Sequence, residues 1–145
     1  MNQTVPCFAV SPDGIVCEGP VSTRLLEIKC KVNDANLDGD DLLDTLDYLR
    51  RDVTTGEWSV KENHAYYGQI QFGLCLCDLK EADLVIYWEY ENAEAKVEEK
   101  IFIVPVEVSP NFVLSMMRIL FNVYFDYVLP FLCAHSDILE KKLYS

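Results

Sequence analysis

The sequence is poor in positive charge. Its 12 lysines and arginines stand against 24 aspartates and glutamates, which gives a formal net charge of −12 at pH 7. A protein that holds DNA mainly by neutralising phosphates needs the opposite balance. The composition therefore excludes a basic, purely electrostatic nucleic-acid binder. An acidic chain that acts on nucleic acid needs metal ions at the phosphate, or a basic surface from elsewhere.

Paired metal-binding or redox cysteines are also missing. The six cysteines, at positions 7, 17, 30, 75, 77 and 133, form no Cys-x-x-Cys spacing, so neither a zinc ribbon nor a thioredoxin-like site is predicted. His64 and His135 are too isolated for a metal cluster, and we interpret them as structural. The chain opens without a basic and apolar signal segment, which favours reduced thiols in the cytoplasm or nucleus.

No uninterrupted apolar run is long enough to cross a membrane. The most apolar region, residues 112–134, contains Arg118, Asn122, Asp126 and Pro130, so we predict a helix there and no membrane partner. We expect Ser109 to cap this helix, Pro110 to occupy its first position, and Pro130 to stop or kink it. Its predicted buried stripe consists of Phe112, Met116, Ile119, Leu120, Val123 and Tyr127.

The order of predicted elements indicates the fold class. Short strands are predicted at residues 5–10, 14–17 and 25–32, helices at 40–51 and about 63–77, strands at 84–90 and 101–108, and then the final helix. At 145 residues, one domain over positions 1–145 is the natural count. The pattern predicts an α/β (α+β) domain in which a mixed sheet is flanked by helices.

The third predicted strand carries charge on one face. Alternation places Glu27 and Lys29 on one side and Ile28 on the other. Burying such charges is costly unless they have a purpose. A divalent cation beside Glu27, with Lys29 aimed at a substrate anion, supplies one, and the turn at Asp13-Gly14 brings a second carboxylate. The alternative is a partly exposed ion pair worth about 0–1 kcal/mol.

Carboxylate oxygens are the ligands that Mg²⁺ selects, with water and substrate phosphate completing its coordination. A site built from Asp13 and Glu27 could lower the pKa of a bound water and stabilise a leaving oxygen. Lys29 could then position the attacking water or neutralise charge on the phosphate.

Three ordered motifs resemble a known family. They are Ser11-Pro12-Asp13-Gly14, then Leu26-Glu27-Ile28-Lys29-Cys30, then Tyr66-Tyr67-Gly68-Gln69-Ile70-Gln71. The three are similar to the signatures of the YqaJ viral-recombinase family, which includes lambda-type exonucleases and belongs to the PD-(D/E)xK nucleases. The similarity covers roughly residues 5–132 and implies a restriction-endonuclease-like core. It also implies Asp13 and Glu27 as metal ligands, Lys29 as catalytic base or charge stabiliser, and Gln69 as an active-site glutamine.

The activity that this resemblance implies is hydrolysis of DNA with Mg²⁺, or Mn²⁺, as the cofactor. By analogy, the chain would be a 5′→3′ exonuclease on duplex DNA ends in viral or mobile-element recombination. The resemblance also implies a homo-oligomer and a single-strand annealing partner. The chain departs from the family in lacking helices before the first strand, in having Lys31 where proline is usual, and in the acidic stretch at residues 33–52.

Gln69 and Gln71 are two residues apart on a predicted helix, about 200° around its axis, so they cannot both face one site. The resemblance favours Gln69, and Gln71 is interpreted as a solvent-facing or structural residue. Tyr66 and Tyr67 are predicted to be core or rim aromatics, with a contact to a DNA end as the alternative.

Two other functions remain open. The segment Asp34-Ala35-Asn36-Leu37-Asp38-Gly39 opens like a calcium-binding loop, but its twelfth position is Thr45 where a glutamate is needed. A solvated acidic loop leading into a helix is the favoured interpretation. The second alternative is a catalytically silent nuclease-fold module that binds nucleic acid or protein.

Overall fold

The computed structural model describes residues 7–33 and 35–135. Its strands are β1 (Gly14–Glu18), β2 (Val21–Lys31), β3 (Leu49–Arg51), β4 (Trp58–Val60), β5 (Glu81–Glu91) and β6 (Val97–Glu107), and its first two helices are α1 (Gly39–Leu43) and α2 (Ala65–Cys77). A last helical segment consists of α3 (Pro110–Val123), a π-helical turn (Tyr124–Val128) and α4 (Leu129–Ala134). The chain divides into two compact units between Ser109 and Pro110.

Four strands form one mixed sheet in the order β1-β2-β5-β6. β1 and β2 are antiparallel, β2 and β5 are parallel, and β5 and β6 are antiparallel. The parallel pair requires a crossover connection, and α2 lies within that connection. β3 and β4 make a separate two-stranded sheet. The predicted fold class, a mixed sheet with helices, is confirmed at this level.

Helix α2 packs against one face of the sheet. His64 caps its N-terminus because Nδ1 of the ring accepts a hydrogen bond from the Tyr66 backbone N–H, and Asp78 ends it in a left-handed conformation. Predicted at about residues 63–77, this helix is confirmed. Fully buried side chains from α2 and the strands form the core beneath it, among them Ile70, Leu74, Leu25, Leu84, Ile86 and Val104.

The other face of the sheet is much more exposed. Alternation along the strands places Ile28, Val85 and Ile103 on this second face, and the register aligns them in one row across β2, β5 and β6. Ile101 and Ile103 remain 64% and 53% exposed. We call this surface the open face.

Two predicted elements differ from the structure. Positions 5 and 6 of the first predicted strand lie outside the described residues, and its remainder, positions 7–10, is a turn and irregular chain. The helix expected at residues 40–51 is wrong beyond Leu43. Thr45 donates its hydroxyl to the Leu42 carbonyl, and the chain then pairs as β3 with β4, which buries Leu49 against the body of the protein.

The last helical segment begins at Pro110 as predicted, but its predicted buried stripe is wrong. None of its described residues is buried, and Tyr127 and Ile119 are 72% and 63% exposed. Pro130 does not stop the helix. Because proline has no N–H to donate and crowds the preceding turn, the backbone widens into the π-helical turn just before it and then continues to Ala134.

By length and composition alone, the helical run Pro110–Ala134 is able to cross a membrane. This is a weak indication, because core helices of soluble proteins meet the same two criteria. That the segment is not a membrane span stays a prediction.

Candidate active site

Strand β2 presents Glu27 and Lys29 on the face that α2 covers. The Glu27 carboxylate is almost fully buried, at 3% exposure. Its Oε1 accepts a hydrogen bond from the Lys29 ammonium at an Nζ–Oε1 distance of 2.6 Å. The predicted alternation therefore brings both groups to one place, and a buried carboxylate lies in direct contact with a cation.

Helix α2 adds a third polar group to the same oxygen. Gln69 donates its side-chain amide to Glu27 Oε1, with Nε2 and Oε1 2.5 Å apart. Four residues further along α2, a Cβ built on Gly73 would lie only 2.7 Å from Leu25 Cδ1. Glu27 lies two residues after Leu25 on β2, and Gln69 lies about one helical turn before Gly73 on α2. Both separations are about 6 Å, so close packing of Gly73 on Leu25 sets Gln69 opposite Glu27.

Asp13 reaches the same strand from the turn before β1. Its Oδ2 accepts a hydrogen bond from the Ile28 backbone N–H at 2.7 Å. Regular pairing between β1 and β2 ends at Gly14 and Leu26, so the carboxylate continues the ladder where the backbone of β1 has turned away. The acidic side chain is thereby fixed one residue from Glu27 along β2.

An aromatic cluster holds Lys29 from the other side. The Lys29 Nζ lies 4.5 Å from the centroid of the Tyr66 ring, within the range of a cation–π interaction. Tyr66 in turn makes edge contacts with His64 and Tyr48, at centroid distances of 4.8 and 5.0 Å. Sequence reasoning placed Tyr66 at the rim or in the core and missed this contact, for which the only signal is its position three residues before Gln69.

Burial gives Tyr48 an unusual proton affinity. Its desolvation, followed by the neighbouring Tyr66 and Asp47, raises the pKa of Tyr48 to about 12. His64 next to it serves as the helix cap, which confirms the structural role predicted for this histidine. The neutral phenol of Tyr48 is thus part of the packing beneath the Lys29–Tyr66 pair.

Gln71 has a structural role. Its side chain is fully buried, and it donates Nε2 to the Glu107 carbonyl at 2.8 Å and accepts the Ser109 N–H on Oε1 at 2.7 Å. The structural interpretation of Gln71 is therefore right and the solvent-facing one is wrong. Lys31, on the same face of β2 as Glu27, lies exposed at the end of the strand.

The donor set suits one kind of metal ion. Within residues 7–33 and 35–135 there is no cluster of three or more histidines, cysteines, aspartates or glutamates that could hold an ion. A closed zinc site needs such a cluster, whereas Mg²⁺ is commonly held by one or two carboxylates and keeps several waters. Asp13 and Glu27 are the two carboxylates along β2 that could serve in the second arrangement. All six cysteines lie in the described part of the chain as free thiols.

The possible calcium loop uses its oxygens for local structure. Its first position, Asp34, lies outside the described residues. Asn33 Oδ1 accepts the Leu37 N–H, and Asp38 Oδ1 accepts the Gly39 N–H. Asn36 exchanges hydrogen bonds with the backbone of Glu91. These contacts are those of a folded acidic loop leading into α1, the interpretation favoured from the sequence.

No protein-family model, curated protein or solved structure matches this chain. The resemblance to the YqaJ family therefore stays a prediction that rests on three short motifs. What the structure adds is that residues from all three motifs meet along one stretch of β2.

Proposed function

We propose that this chain is a Mg²⁺-dependent DNA nuclease with a restriction-endonuclease-like core of the YqaJ type. The observation that carries the proposal is the shared oxygen of Glu27, which binds both Lys29 and Gln69, while Asp13 is hydrogen-bonded to the next residue of β2, Ile28. These are the same four residues that the motif resemblance assigns to catalysis. Residues far apart in the sequence are gathered at one end of a strand, as hydrolysis of a phosphodiester requires.

Stability alone is a poor reason for this arrangement. Glu27 is buried at 3% exposure, so its charge has been removed from water at a cost of several kcal/mol by general estimates. Apolar residues in place of a buried ion pair are often neutral or stabilising. Leu25, the preceding residue on the same face, is apolar and fully buried. A buried charge pair beside such a residue favours a catalytic or binding purpose.

Each residue has a role in the proposed chemistry. Asp13 and Glu27 would hold the metal ion, which when bound supplies positive charge at the phosphate and lowers the pKa of a bound water. The ammonium of Lys29 neutralises charge that develops on the phosphate, since it is already fixed by Glu27 and Tyr66. Gln69, with its amide nitrogen on Glu27, leaves its carbonyl oxygen to orient the attacking water. In the reaction, the water oxygen bonds to phosphorus and gives its proton to solvent. The P–O bond to the leaving sugar oxygen breaks, and that oxygen takes up a proton from solvent.

The resemblance narrows the substrate to duplex DNA ends and the direction to 5′→3′, in recombination of a viral or mobile element. On the same resemblance, we propose that the chain forms a homo-oligomer and works with a single-strand annealing protein. The formal charge of −12 fits such an assembly, because an acidic catalytic chain benefits from a partner that contacts the DNA backbone.

The test is cleavage of linear duplex DNA by the purified chain with Mg²⁺ and, separately, Mn²⁺. Lys29→Ala and Glu27→Ala should lose metal-dependent cleavage by about 10²-fold or more, the usual size of a lost charge stabiliser. Lys31→Ala is the matched control, since Lys31 lies on the same strand face but exposed, and it should cleave like the wild type. DNA labelled at the 5′ or the 3′ end separates the two directions of digestion.

Two results would contradict the proposal. Equal cleavage by wild type and Lys29→Ala would assign the activity to another site or to a contaminant. A wild-type chain that is folded by circular dichroism yet cleaves with neither ion is instead the catalytically silent module, and DNA or protein binding unchanged in Lys29→Ala would support that function. For such a module, the charge of −12 favours a protein over DNA as the partner, because phosphate neutralisation needs the opposite charge balance.

A further inference from the structure

The open face of the sheet carries a continuous apolar surface. The register joins Ile28, Val85 and Ile103 into one row across three strands, and Tyr87 and Ile101 pair in the neighbouring row. Ile28, Ile101 and Ile103 are all large apolar residues with more than a third of their surface exposed. A contiguous exposed apolar surface with polar residues at its rim is typical of an interaction site, so the open face has the character of an unfilled interface.

Acidic side chains mark both ends of the apolar surface. At one end lie Glu81 and Glu107, which pair in register, and at the other lie Glu89 and Glu99, which also pair. All four side chains are exposed. Among the described residues, Glu89, Glu99 and Glu107 have no cation within 4.0 Å, whereas Arg24 bridges Glu81 and Asp83. The open face is therefore apolar in its centre and negative at its ends.

This charge pattern disfavours a second copy of the chain as the cover. Two open faces packed together, in either direction along the strands, would bring acidic ends against acidic ends. Close like charges cost several kcal/mol in an interface. The complement of the surface is an apolar element with cations at both ends.

We propose that the open face binds an amphipathic helix of a partner protein whose apolar stripe is flanked by lysines or arginines at both ends. From Glu81 to Glu89 the strand spans about 26 Å, so the cations of a helix lying along it would be about 18 residues apart. The apolar stripe between them packs on Ile28, Ile101 and Ile103. This proposal does not depend on the nuclease activity, because the open face is opposite the face that holds Glu27.

The test uses a synthetic helical peptide with leucines at i, i+3, i+4 and i+7 spacing and lysines at both ends, binding to the full chain by fluorescence anisotropy. Ile103→Asp should weaken binding about tenfold or more, as expected for a central interface residue. Val53→Asp, at a fully exposed site outside the large sheet, is the control and should bind like the wild type. Because Ile103→Asp adds negative charge, a merely electrostatic attraction to the lysines would become tighter, not weaker.

A second pair of variants tests the charged ends. The double variant Glu89→Lys, Glu99→Lys should bind the lysine peptide more weakly than the wild type does. It should bind a matched peptide with glutamates in place of the lysines more tightly. Equal binding of the two peptides to the wild type, or no binding of either, would overturn the proposal. So would sedimentation of the free chain as a dimer that Ile103→Asp dissociates, since a second copy would then be the cover.

Discussion

The Asp13 carboxylate and the Ile28 backbone N–H are joined by a 2.7 Å hydrogen bond that takes the place of a missing rung between β1 and β2. One oxygen of Asp13 is thus committed to holding the strand. The bond ties the carboxylate to the residue that follows Glu27 on β2. A side chain that fixes β2 is therefore also the proposed second metal ligand.

Asparagine and alanine at position 13 separate these two tasks. Asp13→Asn keeps an oxygen that accepts the Ile28 N–H but removes the charge, so we expect unfolding in urea at nearly the wild-type midpoint together with loss of Mg²⁺-dependent cleavage. Asp13→Ala loses both and should lower the free energy of unfolding by about 1 kcal/mol. Near wild-type cleavage by Asp13→Asn would remove Asp13 from the proposed metal site.

The two glycines of α2 should respond in opposite directions to alanine. At Gly73 the new Cβ would lie 2.7 Å from Leu25 Cδ1 in the buried core. Gly73→Ala should therefore lower the free energy of unfolding, because overpacking costs about 1–3 kcal/mol and outweighs the gain of about 0.5–1 kcal/mol in helix propensity. At Gly68 nothing lies within 4 Å of the built Cβ, and Gly68→Ala should raise that free energy by about 0.5–1 kcal/mol. Urea denaturation of both variants checks the pair, and stabilisation by Gly73→Ala would contradict the close packing of α2.

Gln69 and Gln71 provide a second matched comparison. Gln71→Ala leaves the Glu107 carbonyl and the Ser109 N–H without their partner, so the free energy of unfolding should fall by about 1–3 kcal/mol. Gln69 lies at the exposed edge of α2, and Gln69→Ala should change stability much less while slowing cleavage. Urea denaturation and cleavage should be measured in parallel for both variants. If Gln69→Ala destabilised the fold and Gln71→Ala slowed cleavage, the catalytic role proposed for Gln69 would be wrong.

The raised pKa of Tyr48 predicts that the protein loses stability at high pH. Its pKa is about 12 in the folded protein and near 10 when unfolded, because burial disfavours the phenolate. Between these values the unfolded state releases the proton first, so stability present below pH 10 is lost as the pH rises towards 12. The full effect is on the order of 2–3 kcal/mol. Between pH 10 and 12, the urea midpoint of Tyr48→Phe should fall less steeply with pH than that of the wild type. The same slope in both proteins would show that Tyr48 does not cause the loss of stability.

Local sequence patterns predicted the structure correctly where it depends on alternation or capping within a few residues. Strict alternation predicted which face of β2 carries Glu27 and Lys29, and capping chemistry placed the start of the last helix at Pro110. The same reasoning failed at residues 44–51. There the apolar spacing favours a helix, but pairing with β4 buries Leu49 and offers backbone hydrogen bonds that a short helix cannot match.

Contacts between distant residues could not be predicted from pattern alone. The hydrogen bond from Ile28 to Asp13 and the stacking of Lys29 on Tyr66 depend on where turns end, to within one residue. Periodicity in the last helix identifies an apolar stripe, but it does not reveal whether anything covers that stripe. The motif resemblance selected the four site residues without saying how they touch.

Gly73 has a consequence for how variation in this protein should be interpreted. A larger side chain at this position would push α2 away from Leu25, and the displacement would be felt one turn earlier at Gln69. A mutational scan would record such a variant as a stability defect in the core, far from any reacting group. On the proposed function, its loss of activity would nevertheless be geometric, since the lack of a side chain at position 73 is what lets α2 lie this close to Leu25.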